Sequence, residues 1–272
     1  MFGANRNKRT VSRRSLHGRV AYKLGRRIVS GEIAEGAVLS TEETASADLD
    51  VSRTAYREAI KLLSAKGLVE SRPRVGTRVR ARADWNMLDP DILLWASEHK
   101  LTSDFADALF EFRQIVEPAA ARMAAEKQLE TPLRDMQAAM ASMVTSSPAT
   151  RENVRADLEF HAAILRASGN ELLSSLWYVT EALLARSFEI SSRRPGAREA
   201  SVPLHQAVCD LILNGEAREA EAAMAKLLAS ARADVDAVVN AINTEHEEHA
   251  PADEDAEPAR AASNVRWAHE ED

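Results

Sequence analysis

The chain is 272 residues long, with 45% apolar and 28% charged side chains and a formal net charge of −7, the composition of a globular protein of about two domains. Its single cysteine, Cys209, excludes an internal disulfide and any cysteine-cluster zinc or iron–sulfur site. No apolar run approaches the roughly 18 residues of a membrane span, and the basic, polar beginning does not read as a secretory leader, so the expected compartment is the cytoplasm.

The charge is unevenly placed. Residues 1–83 hold 18 basic against 8 acidic side chains, a balance of +10, which leaves −17 for the rest. A basic head joined to an acidic body suggests a nucleic-acid-binding module attached to something else, though a solvated basic surface gives the same count. Residues 1–14 read as a flexible basic arm (Arg6, Lys8, Arg9, Arg13). At the far end, 243–272 carries ten acidic residues with interspersed proline and alanine. That composition buries too little apolar surface to offset the entropy of ordering, so a disordered acidic tail is expected.

Between these ends the elements follow in order. Leu16, Val20, Leu24 and Ile28 recur at intervals of four, predicting a helix over 16–30 that Gly31 stops. The stretch around Gly36 reads as a loop. Ser40 and Glu43 have capping-box spacing and open a short helix to Ala47. Ser52 is a good N-cap for a third helix over 53–66, with an expected apolar face of Ala55, Ala59, Leu62 and Leu63. Leu68-Val69 and Val79 then frame a turn with Pro73 and Gly76, which predicts a β-hairpin.

Three helices and a basic hairpin, within residues 15–83, have the order of a winged helix-turn-helix, whose third helix enters the major groove of double-stranded DNA. Ser52, Arg53, Thr54, Tyr56 and Arg57 would be its leading side chains. Arg53 and Arg57, one helical turn apart, can offer bidentate guanidiniums to guanine edges or phosphates. Arg57 could instead pair with Glu58 or Glu70. Arg72, Arg74, Gly76 and Thr77 form the hairpin tip, with Arg78 and Arg80 following, a basic edge suited to lying along a DNA backbone.

Residues 84–102 read as a junction containing Pro90 and two tryptophans. From 103 to 242 nearly everything reads as helix, over 103–127, 130–144, 150–168, 171–192, 197–214 and 216–241, with breaks at Pro132, Pro148, Gly169, Pro195 and Gly215. The fold class is therefore mainly α: a winged helix-turn-helix followed by an all-α bundle of six to seven helices.

The segment LSTEETASADLDVSRTAYREAIKLLSAKGLVESRPRVGTRVR resembles the winged helix of the GntR family of bacterial transcription regulators, through Val51, Ser52, Arg53, Thr54, Arg57, Glu58, Ala59, Gly67, Leu68, Gly76, Thr77 and Val79. It departs where Ser40 replaces a proline and where Glu43 replaces an arginine that commonly touches DNA. FRQIVEPAAARMAA, DLEFHAAILRASGN and the stretch after His205 resemble the helical effector domain of the fatty-acid-regulator branch, the FCD domain. DWNMLDPDILLWASEH resembles the junction of the branch's galactonate-operon repressors.

Asp157 and His161 stand four apart on a helix face and could hold a divalent cation, with a second helix bringing His205; an ordinary ion pair has the same spacing. The resemblance implies metal ligands at Asp157, His161 and His205. It also implies that Leu227 stands where a fourth ligand is usual, leaving the zinc, nickel or manganese site incomplete. It further implies that Arg113 faces an effector cavity, although a buried salt bridge to Glu117 is the alternative. Arg232 is a second candidate effector contact, and Cys209 reads as a core residue. No nucleophile or general base stands nearby at motif-like spacing. The expected function is a non-enzymatic, homodimeric repressor released from operator DNA by a small carboxylic acid, such as a sugar acid like galactonate. A metal-dependent enzyme and a non-inducible architectural DNA-binding protein are the alternatives.

Overall fold

The computed structural model describes residues 15–72, 74–98, 103–147, 150–177, 181 and 197–248. The expected basic arm, the tail beyond residue 248 and most of the helix expected over 171–192 lie outside these residues. The chain divides into two compact units that meet in sequence between His99 and Lys100.

The first unit begins with α1 (Leu16–Val29), capped by the Ser15 hydroxyl, which accepts from the Gly18 N–H. α2 (Glu42–Asp48) and α3 (Arg53–Ala65) follow. The expected capping box shifts by one residue. Thr41, not Ser40, caps α2 by accepting from the Thr44 N–H, and the Ser40 carbonyl instead accepts from the Tyr56 hydroxyl at 3.3 Å. The buried face of α3 is likewise turned from the expected one: Tyr56, Ala59, Ile60 and Leu63 go inside, while Ala55 and Leu62 are only half-buried. A large aromatic at 56 removes far more apolar surface from water than Ala55 could, and it sets the helix's rotation.

The hairpin pairs β1 (Val69–Arg72) with β2 (Gly76–Val79) antiparallel, Val69 opposite Val79 and Arg72 opposite Gly76. The stretch expected as a loop around Gly36 also joins this sheet. Val38 bridges Arg78, the Leu39 N–H donates to the Thr77 carbonyl and the Val79 N–H to that of Ala37. Such pairing satisfies one edge of a two-stranded ribbon that would be marginal alone.

The expected junction contains a helix, α4 (Pro90–Glu98). Ile92 and Trp95 are fully buried in the core built by Val20, Leu24, Ile28, Leu63 and Leu68. The motif residues of the junction fasten it. The Trp85 indole donates to the Arg80 carbonyl, the Asn86 N–H donates to the Lys66 carbonyl, and Asp89 accepts from the Asp91 N–H as a cap of α4. The Lys66 ammonium lies 2.8 Å from Asp89 and 2.6 Å from Asp91. Gly25 makes the close approach of α1 and α4 possible, since a Cβ there would lie 2.2 Å from the Trp95 ring.

Every regular element among the second unit's described residues is a helix: α5 (Ser103–Lys127), α6 (Glu130–Thr145), α7 (Arg151–Ala167), α8 (Glu171–Ser175), α9 (Ala197–Leu213) and α10 (Ala217–Glu248). α5 packs on α7, α9 and α10, and α6 packs on α7 and α9. Ala120, Ala121, Ala124 and Ala163 line the contacts with no exposed surface. Their small side chains let backbones approach, and Met136, Met140 and Met143 fill the irregular spaces left. Helix α10 runs to Glu248, so residues 243–248, expected as tail, are helical; nothing between Gly215 and Pro251 breaks the helix. No described helix is long and apolar enough to cross a membrane.

Candidate functional site

On the first unit, Ser52, Arg53, Thr54 and Arg57 open α3 and are exposed. The Ser52 hydroxyl caps the helix by accepting from the Ala55 N–H at 3.2 Å. Tyr56, expected beside them, points inward with 1% of its surface exposed, and burial pushes its phenol up to about 12. It is a core residue. Arg57 pairs with neither Glu58 nor Glu70. It donates from Nε and Nη2 to the two oxygens of Glu42 at 3.1 and 2.8 Å, a side-on fork, and Glu58 turns to Lys61. Arg53 donates from Nη2 to Glu43 at 2.6 Å.

At the hairpin, Arg72, Arg74 and Gly76 are exposed, and Thr77 is half-buried with its hydroxyl 3.0 Å from that of Ser71. Arg72 lies 2.8 Å from Glu70. The tip turns through positive φ at Arg74 and Gly76. Arg78 is not a free strand position: its Nε donates to the Gly36 carbonyl at 2.8 Å.

On the second unit, α7 carries Asp157 and His161 one turn apart and α9 brings His205 to them. One donor atom from each lies within 4.8 Å of the others, and all three side chains are buried. The rings are held in place by different groups. His161 Nδ1 is 2.7 Å from the Glu117 carboxylate, whose other oxygen accepts from Arg113 Nε at 2.7 Å. His205 Nδ1 is 2.9 Å from the Ser201 carbonyl. Phe160 stands edge-on to both imidazoles, at 5.7 and 5.2 Å. The two Nε2 atoms therefore turn toward Asp157, at 3.2 Å for His161 and 3.6 Å for His205.

Burial opposes the charges of Asp157, His161 and Glu117, and their partners outweigh it. Burial alone would raise the Asp157 carboxyl, but the imidazoles of His205 and His161 hold it well below the usual carboxylate range. Burial disfavours the His161 imidazolium, yet Glu117 and Asp157 raise it to about 9. Arg113 and His161, against burial, draw Glu117 down to about 2.

The donor set fits a divalent ion. Asp157 Oδ1 and His205 Nε2 are buried and make no well-formed hydrogen bond, their nearest charged neighbours lying 3.2 and 3.6 Å away, a costly state unless something else meets them. Imidazoles whose outer nitrogen is fixed by a carboxylate and a backbone carbonyl have the arrangement that orients histidine toward a metal. Leu227 is 2% exposed within the core and offers no donor, so the set is one carboxylate and two imidazoles.

The two candidate effector contacts are both engaged. Arg113 is 2% exposed and bound to Glu117, the buried salt bridge foreseen as the alternative. Arg232 pairs with Asp236 and Asp107. The guanidiniums nonetheless meet the same ring, 5.4 and 5.5 Å from the centroid of Phe110. Cys209 is buried, and burial raises its thiol to about 11. Sequence reasoning missed Glu42 and Glu43 as partners of the α3 arginines and Ser201 as the anchor of His205. The acidic first turn of α2 was the available signal for the former; a backbone carbonyl leaves none.

Comparison with known proteins bears on both units. Residues 16–79 match the model of the gntR family of bacterial regulatory proteins, and residues 108–230 match the FCD domain. The chain is 32% identical to the galactonate operon transcriptional repressor of Escherichia coli K12, over 78% of this chain and 93% of that one. It is 29% identical to a putative L-lactate dehydrogenase operon regulatory protein of the same strain, over 78% and 83%. Among solved structures, Lar, which controls the expression of the Listeria monocytogenes agr system, has a similar fold, with a TM-score of 0.61 at 20% identity over 82% of this chain and 98% of that one. These relatives are regulators, which sets aside the metal-dependent enzyme. The chain belongs to the gntR family of bacterial transcription regulators and carries an FCD domain behind its winged helix.

Proposed function

We propose that this regulator is a repressor whose hold on operator DNA is released by a small hydroxy acid, with a sugar acid such as galactonate as the leading class. The observation that carries this reading is the convergence of Asp157, His161 and His205, three buried side chains from two helices whose donor atoms lie within 4.8 Å of one another. Those three side chains would hold a zinc, nickel or manganese ion, and such an ion supplies a positive centre for carboxylate and hydroxyl oxygens. Arg113 and Arg232, on either contact with Phe110, are the candidate partners for the acid's carboxylate. For Arg113 that role requires sharing its guanidinium with Glu117.

Ser52, Arg53, Thr54 and Arg57 are the proposed groove-facing residues, with Arg72, Arg74, Gly76 and Thr77 along the backbone. The chain would act as a homodimer on a two-fold operator, the usual arrangement for helix-turn-helix regulators. The names of the relatives, one of a galactonate operon and one of a lactate dehydrogenase operon, favour hydroxy acids as a class. The test is a gel shift on the DNA upstream of the chain's own gene, repeated with galactonate, gluconate and lactate in the presence of zinc, nickel or manganese. The proposal expects a shifted band that one of these acids abolishes. A shift that none of them alters removes the hydroxy-acid assignment.

A further inference from the structure

Residue 43 lies in the first turn of α2, beside the start of α3, and its carboxylate accepts from Arg53 Nη2 at 2.6 Å. Both side chains stand well out in solvent, 77% exposed for Glu43 and 62% for Arg53. An ion pair so exposed contributes little to folding, because water screens it and two long side chains lose freedom in making it. Its consequence belongs to whatever covers this face.

The neighbouring pair differs in geometry. Arg57 gives both Nε and Nη2 to Glu42, so its fork is taken up by a carboxylate. Arg53 gives Nη2 alone, end-on, and is held from one side. Glu43 and Arg53 also share one open depression with Ser46, Asp50 and Ser52. A carboxylate on a surface that meets phosphates repels every duplex alike. It is tolerated where Arg53, steadied by it, finds the two acceptors of a guanine edge, and where its own second oxygen finds the amino group of a cytosine.

We propose that Glu43 is a specificity-determining residue: it orients Arg53 toward the guanine of one G·C pair in each half-site and penalises duplexes that lack that pair. The proposal rests on the reading that Arg53 meets bases. Glu43 lowers affinity for DNA in general and so widens the gap between operator and other sequence, since discrimination is a difference of affinities and repulsion of the wrong partner serves it as well as attraction of the right one.

The test is selection of binding sites from a random-sequence duplex library by the full-length chain, compared with its Glu43→Gln, Glu43→Arg and Arg53→Lys variants. The salt dependence of binding to a mixed-sequence duplex is then measured for each. Wild type is expected to enrich a two-fold motif with a guanine preference that Glu43→Gln and Arg53→Lys both weaken, by about tenfold at that one base pair. Glu43→Gln and Glu43→Arg should also bind mixed sequence more tightly, and Glu43→Arg should steepen the logarithmic salt slope by about one ion. Thermal melting serves as the folding control, and the exposure of both side chains predicts unchanged midpoints. Motifs and slopes identical between wild type and Glu43→Gln overturn the role of Glu43 while leaving Arg53 a reader of bases. If wild type enriches no motif, the base-reading assignment of Arg53 fails and the proposal fails with it.

Discussion

The two units each carry an arginine–glutamate pair at nearly the same distance, and the pairs differ in almost everything else. Arg53 and Glu43 meet at 2.6 Å in solvent; Arg113 and Glu117 meet at 2.7 Å with 2% of each side chain exposed. In water the attraction is screened and either partner is satisfied without the other. Inside the bundle neither charge has that alternative, and Glu117 also carries His161. Burial turns the same chemistry from an adjustable surface contact into a structural commitment.

The largest expected effect comes from breaking the buried pair. Arg113→Met leaves Glu117 and the centre with an uncompensated charge and should cost about 3–5 kcal/mol, read by chemical denaturation of the full chain. A loss below about 1 kcal/mol would place Arg113 with the exposed pairs. Next comes the packing of the first unit. Gly25→Ala sets a methyl group against the Trp95 ring and should destabilise that unit by about 1–3 kcal/mol, seen as faster hydrogen exchange in α1 and α4.

The candidate metal site offers a third contrast. Glu117→Gln keeps the shape of the side chain but removes the carboxylate behind His161, and should weaken zinc or nickel binding about 10–100-fold in a calorimetric titration. Unchanged affinity would mean that His161 is not oriented by Glu117.

Stability depends on pH through His161 and Glu117. His161 is raised from 6.5 to about 9 in the folded chain, so its contribution to stability is whole below 6.5 and is lost as the pH rises through about 9. Glu117 is drawn down from 4.5 to about 2, so its contribution is whole above 4.5 and is lost as the pH falls through about 2. In a chelating buffer, urea midpoints should therefore be highest between these limits and decline on both sides. A bundle whose midpoint stays flat from pH 6 to 9.5 would contradict the charged state assigned to His161. The smallest effect is at the surface. Glu43→Gln should change folding stability by less than about 1 kcal/mol, whatever it does to DNA selection.

Much of the fold is legible in the amino-acid sequence. The helices of the first unit follow from apolar spacing and the Ser52 cap, and those of the second from the proline and glycine breaks between them. The Asp157–His161 spacing also placed two donors on one face. What escaped was set by contacts distant in sequence. Tyr56 turned inward because the space under α3 suits an aromatic ring, and the strand pairing around Val38 depends on β2, some forty residues on. Likewise, the junction became a helix because Trp95 could enter the groove above Gly25. The side-chain partners of Arg53, Arg57 and Arg232 could not be chosen among nearby carboxylates by spacing alone, whereas the Arg113–Glu117 pair, one helical turn apart, could be named.

The central claim is that the buried centre of the bundle governs the hold of the winged helix on DNA. It is tested most directly by fluorescence anisotropy of a labelled operator duplex titrated with full-length protein, wild type and Asp157→Asn, with and without galactonate and a divalent metal. The account predicts that the acid weakens wild-type binding by about tenfold or more, while Asp157→Asn binds the duplex as tightly as wild type and ignores the acid. A variant that releases the duplex at the same acid concentration as wild type would contradict it.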